Sequence, residues 1–194
     1  MSNLRVVGYD PSLRHWGVAV GQYDLTTKQL KVEYVEVIEP VIPSGKQVRN
    51  NSKDLAAATQ LATAARDFAD GAQAVFVEVP HGSQSARAMA SYGVCLGVLG
   101  ALRAAGIPFY ELSESEVKLA TVGQKTSTKK EMIEWAITRH PEAPWSTYKQ
   151  NGKQLISEAK AEHQADAVAA IYAGLRSPQF LQTLQLQLPL QVSV

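Results

Sequence analysis

Several features are scarce or missing in this sequence, and each absence narrows what the protein can be. The single cysteine, Cys95, excludes an internal disulfide and is typical of a reducing compartment, and its apolar neighbours indicate a packed core thiol. There is no run of about 18 apolar residues that could span a membrane, and the first residues lack the pattern of a secretion signal. We therefore expect a soluble, intracellular protein of the cytoplasm.

An excess of charge of one sign is also missing, because 19 Lys and Arg residues face 18 Asp and Glu residues. A nucleic-acid partner therefore cannot be inferred from net charge and would require a local basic surface. The length of 194 residues and the apolar content of 45% are enough for one compact domain with a core. We assign residues 1–176 to this domain and residues 177–194 to a C-terminal tail.

The first part of the chain predicts a three-stranded antiparallel meander. Three β-prone stretches, 4–9, 16–23 and 30–38, are separated by turn residues. A helix over 53–69, capped by the preceding serine, leads to a short apolar strand at 74–80. Such a crossover implies that this fourth strand pairs in parallel with the meander.

The second part predicts a fifth strand and further helices. The strand covers 107–112, a helix capped by Ser127 or Thr128 follows, and the last helix covers 162–173. The tail beyond 179 alternates Leu and Gln, so we expect it to be disordered or to add an edge strand. The predicted fold is α/β, with a five-stranded mixed sheet and helices on both faces.

A helix predicted over 83–105 carries an unusual number of glycines. Gly93, Gly97 and Gly100 are spaced four and three residues apart. Each glycine inside a helix costs up to about 1 kcal/mol relative to alanine. Something should therefore approach that face closely, and the two candidates are the sheet and a second subunit.

Residues 141–160 show little periodicity. Trp145, Tyr148, Lys149 and Lys153 mix aromatic and cationic side chains, as nucleic-acid contacts do. A plain surface insertion is the alternative interpretation of this segment.

Three acidic residues that are far apart in the chain lie at predicted strand ends or on a helix face. Asp10 ends the first strand, and Glu78 ends the strand that the crossover places beside it. Asp166 and His163 are three residues apart on the last helix and share a face. Neighbouring carboxylates repel each other by roughly 4 kcal/mol per pair at 4 Å, so such a cluster needs cations. Carboxylate oxygens favour Mg²⁺ or Mn²⁺, and two such ions can hydrolyse a phosphodiester.

Each of these residues also has a simpler interpretation. Asp10 could only cap the turn that follows its strand, and Glu78 could form an ion pair with a loop lysine. His163 could be a solvated helix residue, in which case Glu162 could replace it as the fourth ligand.

These motifs resemble the RuvC family of Holliday junction resolvases, which has a ribonuclease H-like fold. Gly8-Tyr9-Asp10-Pro11-Ser12 resembles the opening strand and turn of that family, and Val77-Glu78 resembles its second acid. His163-Gln164-Ala165-Asp166-Ala167 resembles its terminal acid motif. The resemblance covers about residues 4–176.

The most specific part of the resemblance is a basic segment. Val117-Lys118 is followed by Thr121-Val122-Gly123 and, eleven residues after the first lysine, by Lys129. The resemblance implies that Lys118 and Lys129 lie near the scissile phosphate, where a lysine can neutralise charge in the transition state. The other expected DNA contacts are Lys125, Lys130, Arg14 and His81.

The resemblance also implies a homodimer that nicks two strands of a four-way DNA junction symmetrically. Each active site would use two Mg²⁺ ions, which Mn²⁺ could replace, held by Asp10, Glu78, His163 and Asp166. Two-fold symmetry of the protein would match the two-fold symmetry of the junction. The glycine face of the helix over 83–105 is the candidate interface.

The sequence departs from the family pattern at two positions. Ser12 stands where the family commonly has glycine, and His81 stands where it tends to have an aromatic residue that stacks on bases. These departures indicate a divergent or phage-type member. One alternative is a ribonuclease H-like nuclease for flaps or RNA/DNA hybrids, and another is a junction-binding protein without catalysis. A sugar-kinase or actin-like ATPase is disfavoured, because the chain lacks a glycine-rich phosphate loop.

Overall fold

The computed structural model describes residues 3–187, and its centre is a five-stranded mixed sheet. The strands are β1 Asn3–Asp10, β2 Trp16–Asp24, β3 Leu30–Ile38, β4 Ala74–Glu78 and β5 Tyr110–Leu112. They lie in the order β3-β2-β1-β4-β5, with antiparallel pairing among the first three and parallel pairing from β1 to β4 and from β4 to β5. The predicted sheet is confirmed, although β5 is shorter than the stretch predicted for it.

Helices cover both faces of this sheet. They are α1 Asn50–Ala69, α2 Ala86–Ala104, α3 Glu114–Thr121, α4 Lys129–Arg139, α5 Glu158–Leu175 and α6 Pro178–Gln187. Within residues 3–187, no helix is both long and apolar enough to cross a membrane.

The helix starts are set by local capping. The side chain of Thr128, and not that of Ser127, caps α4 in a reciprocal capping box with Glu131. The predicted cap of α1 at Ser52 is wrong, because that helix begins at Asn50, after Arg49, with no side-chain cap. The extra turn lies on the exposed side of the molecule, where apolar periodicity does not mark a boundary.

Alternation along the strands sorts their side chains between two cores. Val6 and Phe76 belong to the core beneath α3, α4, α5 and α6, whereas Val7 and Val75 belong to the core beneath α1 and α2. Cys95 is fully buried in the second core, as expected. Helix α5 packs across all five strands of the sheet and is the central element of the first core.

The beginning of the predicted tail is a helix and not an edge strand or a disordered segment. Phe180 of α6 is buried and packs edge-on against Phe76 and Tyr110 at centroid distances of 5.2 and 5.5 Å. This aromatic contact stabilises α6 against the rest of the protein, and the alternation of Leu and Gln does not predict it. The rest of the predicted tail, 188–194, lies outside the described residues.

Residues 147–156 form a separate two-stranded antiparallel hairpin, with β6 Thr147–Gln150 and β7 Lys153–Ile156. Of the two interpretations of residues 141–160, contact with nucleic acid does not hold for Trp145. Its side chain is buried in the first core, and its indole N–H donates to the carbonyl oxygen of His140 at 2.8 Å. Tyr148 is 47% exposed, and Lys149 and Lys153 are exposed as well.

Candidate active site

The sheet brings Asp10 and Glu78 side by side. Tyr9 pairs with Val77 in the parallel β1–β4 ladder, so the next residue of each strand stands at the same carboxyl edge of the sheet. Side chains alternate along a strand, and Glu78 therefore faces the same core as Phe76 two residues earlier. Both carboxylates are thus directed to the face of the sheet that α5 covers.

Helix α5, which packs on this face of the sheet, carries His163 and Asp166. The Nδ1 atom of His163 lies 2.7 Å from Oδ2 of Asp10. The imidazole of His15, which follows the turn after β1, stacks on His163 with a centroid distance of 5.6 Å and an interplanar angle of 9°. The stacking partner was not predicted, because nothing in the sequence spacing relates His15 to α5.

The predicted acidic residues and the histidine line one open pocket of about 330 Å³. Asp10, Glu78, His163 and Asp166 share it with Glu162, which was the predicted alternative ligand, and with Glu114. The remaining lining residues come from the β1–β2 turn, the segment after β4 and the first half of α2: Pro11, Ser12, Val79, Pro80, His81, Gly82 and Tyr92. The structure therefore gathers residues from four distant parts of the chain.

The negative charges of the carboxylates in this pocket repel one another, which makes the ionised form of each less favourable. Burial, followed by the charges of Asp10 and Asp166, raises the pKa of Glu78 to about 9. Burial and the charge of Asp10 also raise the pKa of Asp166. Burial lowers the pKa of His163, but the hydrogen bond and the charge of Asp10 outweigh that effect and raise it overall. A cation between these groups would relieve the repulsion.

The donor atoms of the pocket fit a divalent cation of the Mg²⁺ or Mn²⁺ class. The three carboxylates are partly buried at one site and repel one another, and they are the hard oxygen ligands that such ions prefer. An imidazole is a common additional ligand. Within residues 3–187, no three side chains of His, Cys, Asp or Glu are already spaced to hold one ion together.

Two lysines of the predicted basic segment are held at the rim of the pocket by its acids. Lys118 Nζ lies 2.5 Å from Oε1 of Glu114, and Lys129 Nζ lies 2.5 Å from Oε1 of Glu162. Glu114 was missed in the sequence. The available signal was its position two residues after Leu112, which ends β5 and pairs with Glu78.

The other predicted DNA contacts fall into two groups. His81 lines the pocket with its side chain 72% exposed, and Lys125 and Lys130 are exposed on the connection from α3 to α4 and at the start of α4. Arg14 lies apart from them, because its guanidinium donates to Asp54 on α1 at 2.7 Å. The structure does not place Arg14 among the residues that line the pocket.

Known proteins share this fold although their sequences are distant. A comparison with models of protein families gives no match, and a comparison with curated sequences gives none. Among solved structures, Thermus thermophilus RuvC in complex with a Holliday junction substrate is similar with a TM-score of 0.62 and 19% identity, over 94% of this chain and 96% of that one. Another Thermus thermophilus RuvC structure is similar with a TM-score of 0.61 and 22% identity, over 93% of this chain and 96% of the other.

The predicted similarity in fold is thus confirmed over nearly the whole of both chains. At 19% and 22% sequence identity, this similarity concerns the fold alone. The chain has the fold of these RuvC structures, a five-stranded mixed sheet with helices on both faces.

Proposed function

We propose that this protein is a divalent-metal-dependent endonuclease that nicks four-way DNA junctions. The observation that carries the proposal is the gathering of Asp10, Glu78 and Asp166, with His163 at hydrogen-bond distance of Asp10, in one pocket at the carboxyl edge of the sheet. A purely structural role would not require like charges to share a partly buried site.

Asp10, Glu78, Asp166 and His163 are the residues that would hold the metal ions. Two divalent cations bound there would supply a nucleophilic water at neutral pH and a counter-charge for the leaving oxygen of a phosphodiester. Glu162 is the less suitable fourth ligand, because Lys129 already neutralises it. His163 instead has its Nδ1 atom 2.7 Å from Asp10, which is itself one of the proposed ligands, so the two side chains already converge on one place.

Lys118 and Lys129 at the rim have a different proposed role from that of the metal ligands. Lys118 and Lys129 bring positive charge to a pocket that otherwise repels DNA phosphates, and each is held there by an acid of the pocket wall. A lysine in this place stabilises charge that develops on the phosphate during cleavage. Lys125, Lys130 and His81 extend the cationic and polar surface away from the pocket.

We propose a four-way junction as the substrate because the fold is similar to that of a protein whose structure contains such a junction. One of the similar structures is a complex of RuvC with a Holliday junction substrate. Symmetric nicking of such a junction would need two active sites, and therefore a homodimer whose symmetry matches that of the DNA. Other branched DNA, RNA/DNA hybrids and binding without cleavage are the competing possibilities.

The test is to offer the purified protein a four-way junction, a flap and an RNA/DNA hybrid with Mg²⁺ and to compare nicking. We expect paired nicks in the junction and little cutting of the other two substrates. Asp10→Asn and Glu78→Gln should lower the nicking rate at least about 100-fold while junction binding is kept. Glu33→Gln, which removes an exposed carboxylate on β3, is the matched control and should nick normally.

Preferred cutting of the hybrid or the flap would replace the proposed substrate. Full activity of Asp10→Asn would disprove the assigned site. Junction binding without any cutting by the unaltered protein would establish the binding-protein alternative.

A further inference from the structure

The hairpin β6–β7 is a ribbon that contributes little to the cores of the protein. Of its eight strand residues, all but Ile156 are exposed. Asn151 and Gly152 form its tip with φ angles of 50° and 75°, the conformation of a tight hairpin turn. An isolated two-stranded hairpin is marginally stable in water, so this one needs a firm base.

The base of the ribbon is fixed to the rest of the protein. The backbone N–H of Ser157 donates to the carbonyl oxygen of Ser146 at 2.9 Å, which closes the hairpin. The backbone N–H of Ser146 donates to Oε1 of Gln164 at 3.1 Å, and Gln164 is fully buried on α5. A ribbon that is held rigidly at its base, but is exposed along its length, is suited to contact a partner.

A groove of about 890 Å³ lies between this ribbon, α4 and the start of α5. Its apolar lining includes Ile133, Ile137 and Ile156. Tyr148 and Leu155 face each other across the ribbon ladder, and they are 47% and 38% exposed. A groove of this volume is in the range, about 300–1,000 Å³, of cavities that hold whole small ligands.

The groove adjoins the candidate active site. Glu162 lines both cavities, and its partner Lys129 lines the groove. If one phosphate of a DNA strand lies in the acidic pocket, the neighbouring nucleotide of that strand therefore lies next to this groove.

Charges of both signs surround the groove. Lys129 and Lys130 lie on its α4 side, and Lys149 and Lys153 are exposed on the ribbon but do not line the groove. Within the described residues, the two ribbon lysines form no ion pair, although the groove also contains carboxylates. The groove has three carboxylates. Glu162 lies 2.5 Å from Lys129, Glu134 lies 3.7 Å from Lys130, and the third carboxylate is that of Glu158.

We propose that this groove receives one unpaired nucleotide of the DNA strand next to the phosphate in the acidic pocket. The base lies against Tyr148, Leu155 and the isoleucines. Lys153 is two residues from Leu155 and so lies on the same face of the ribbon, where it contacts a flanking phosphate. An aromatic and apolar wall suits the flat face of an unstacked base, whereas an intact duplex keeps the faces of its bases stacked inside the helix. This inference rests on the proposed function, because it assigns a role to the DNA beside the same site.

The test uses a junction with 2-aminopurine beside the cleaved phosphate, bound by the Asp10→Asn protein so that no cutting occurs. We expect fluorescence to rise on binding, since the base leaves its stack. Adding Tyr148→Ala should remove most of this rise and weaken junction binding about fivefold to tenfold. Adding Lys153→Gln should reduce the salt dependence of binding by about one phosphate contact.

Two matched controls lie on β3, away from the groove. Tyr34→Ala removes a tyrosine that is 40% exposed, and Lys31→Gln removes an exposed strand lysine. Both should leave fluorescence and affinity unchanged. The replaced ribbon residues are exposed, so far-ultraviolet circular dichroism of each variant should match that of its parent.

The two levels of the proposal fail in different ways. If the Asp10→Asn protein does not bind junctions at all, the proposed function fails. If it binds and Tyr148→Ala behaves like Tyr34→Ala, only the groove assignment is overturned. An equal effect of Tyr148→Ala on an unbranched duplex, or a change in oligomeric state without an effect on DNA, also overturns it.

Discussion

At the scale of single residues, two glycines decide how close α5 comes to the sheet. A Cβ atom at Gly8 would collide with the carbonyl oxygen of Ala167, and one at Gly17 would collide with the carbonyl oxygen of His163. The helix backbone therefore rests directly on β1 and β2. Because of this close approach, the imidazole of His163 reaches the carboxylate of Asp10.

We predict that Gly17→Ala pushes α5 away from β2. The added methyl group overpacks the contact and should lower the free energy of unfolding by about 1–3 kcal/mol, and the nicking rate should fall as His163 leaves Asp10. Thermal unfolding and the junction-nicking assay measure the two effects. Gly97→Ala is the comparison for thermal unfolding alone, because Gly97 belongs to the proposed dimer face. A Cβ there meets none of the described residues within 4 Å, and alanine should stabilise the helix of the single chain by about 0.5–1 kcal/mol. Unchanged stability and activity of Gly17→Ala would contradict the proposed contact.

A second prediction at this scale separates the two candidates for the fourth metal ligand. His163→Ala should raise the Mg²⁺ concentration needed for half-maximal nicking by about 10-fold or more, because it removes a donor next to Asp10. Glu162→Gln should change it much less, since Lys129 already neutralises Glu162. A Mg²⁺ titration of each variant measures the difference. The reverse order of effects would assign Glu162 as the ligand.

At the scale of secondary structure elements, Asp54 connects three segments around the second core. Its carboxylate accepts from Arg14, in the turn after β1, at 2.7 Å and from Arg87, in the first turn of α2, at 3.0 Å. Both guanidinium groups are thereby held on α1. Arg14 would have to leave this ion pair to serve as the DNA contact that the sequence predicts.

We predict that this ion pair makes stability depend on pH in acid. The hydrogen bond from Arg87 and the one from Arg14 lower the pKa of Asp54 below 3.8. A carboxyl whose pKa is lowered on folding stabilises the protein above its unfolded value, and this contribution is lost as the pH falls through the folded value. Asp54→Asn should therefore cost about 1–3 kcal/mol near neutral pH, and the cost should shrink below about pH 4.

Urea unfolding of the unaltered and Asp54→Asn proteins across this pH range measures the difference. Asp67→Asn is the control, because Asp67 forms an exposed ion pair with Arg66 and its replacement should change stability by less than about 0.5 kcal/mol. A cost of Asp54→Asn that is independent of pH would refute the electrostatic explanation.

At the scale of the whole molecule, the glycine face of α2 is open. Among the described residues, none lies within 4 Å of the Cβ position of Gly93, Gly97 or Gly100, and Met89 and Leu96 beside them are each 45% exposed. The explanation that these glycines let the helix pack on the sheet is wrong. The helix packs on the sheet with its opposite face, through Cys95, Val98, Leu99 and Leu102. The homodimer interface stays the proposal for the open face.

We predict that Gly97→Leu converts a dimer into a monomer. A leucine side chain on the open face would separate two closely packed helices but would meet no obstacle in the single chain. Light scattering should show half the mass, thermal unfolding should show an intact fold, and the junction should receive single and no longer paired nicks. A monomeric mass of the unaltered protein at micromolar concentration would contradict the proposed dimer.

The sequence determined the parts of this protein that depend on local pattern. Apolar alternation located β1, β2 and β3 almost to the residue, and the crossover rule placed Glu78 beside Asp10. The hairpin over 147–156 was missed, although Asn151-Gly152 is a hairpin signal, because its strands lack an apolar face. Helix α6 was missed because its alternating leucines suggested a period of two, whereas the packing of Phe180 decides its conformation.

Only the tertiary structure decided which of these groups meet. Glu114, His15 and the partners of Lys118 and Lys129 come from separate elements, and no spacing along the chain relates them. The same holds for the groove beside the ribbon, which three elements build together. Local pattern fixes the backbone of each element, because backbone hydrogen bonds are made within it or with a neighbouring strand. Contacts between distant side chains depend on how closely the elements pack, and here the glycines under α5 set that distance.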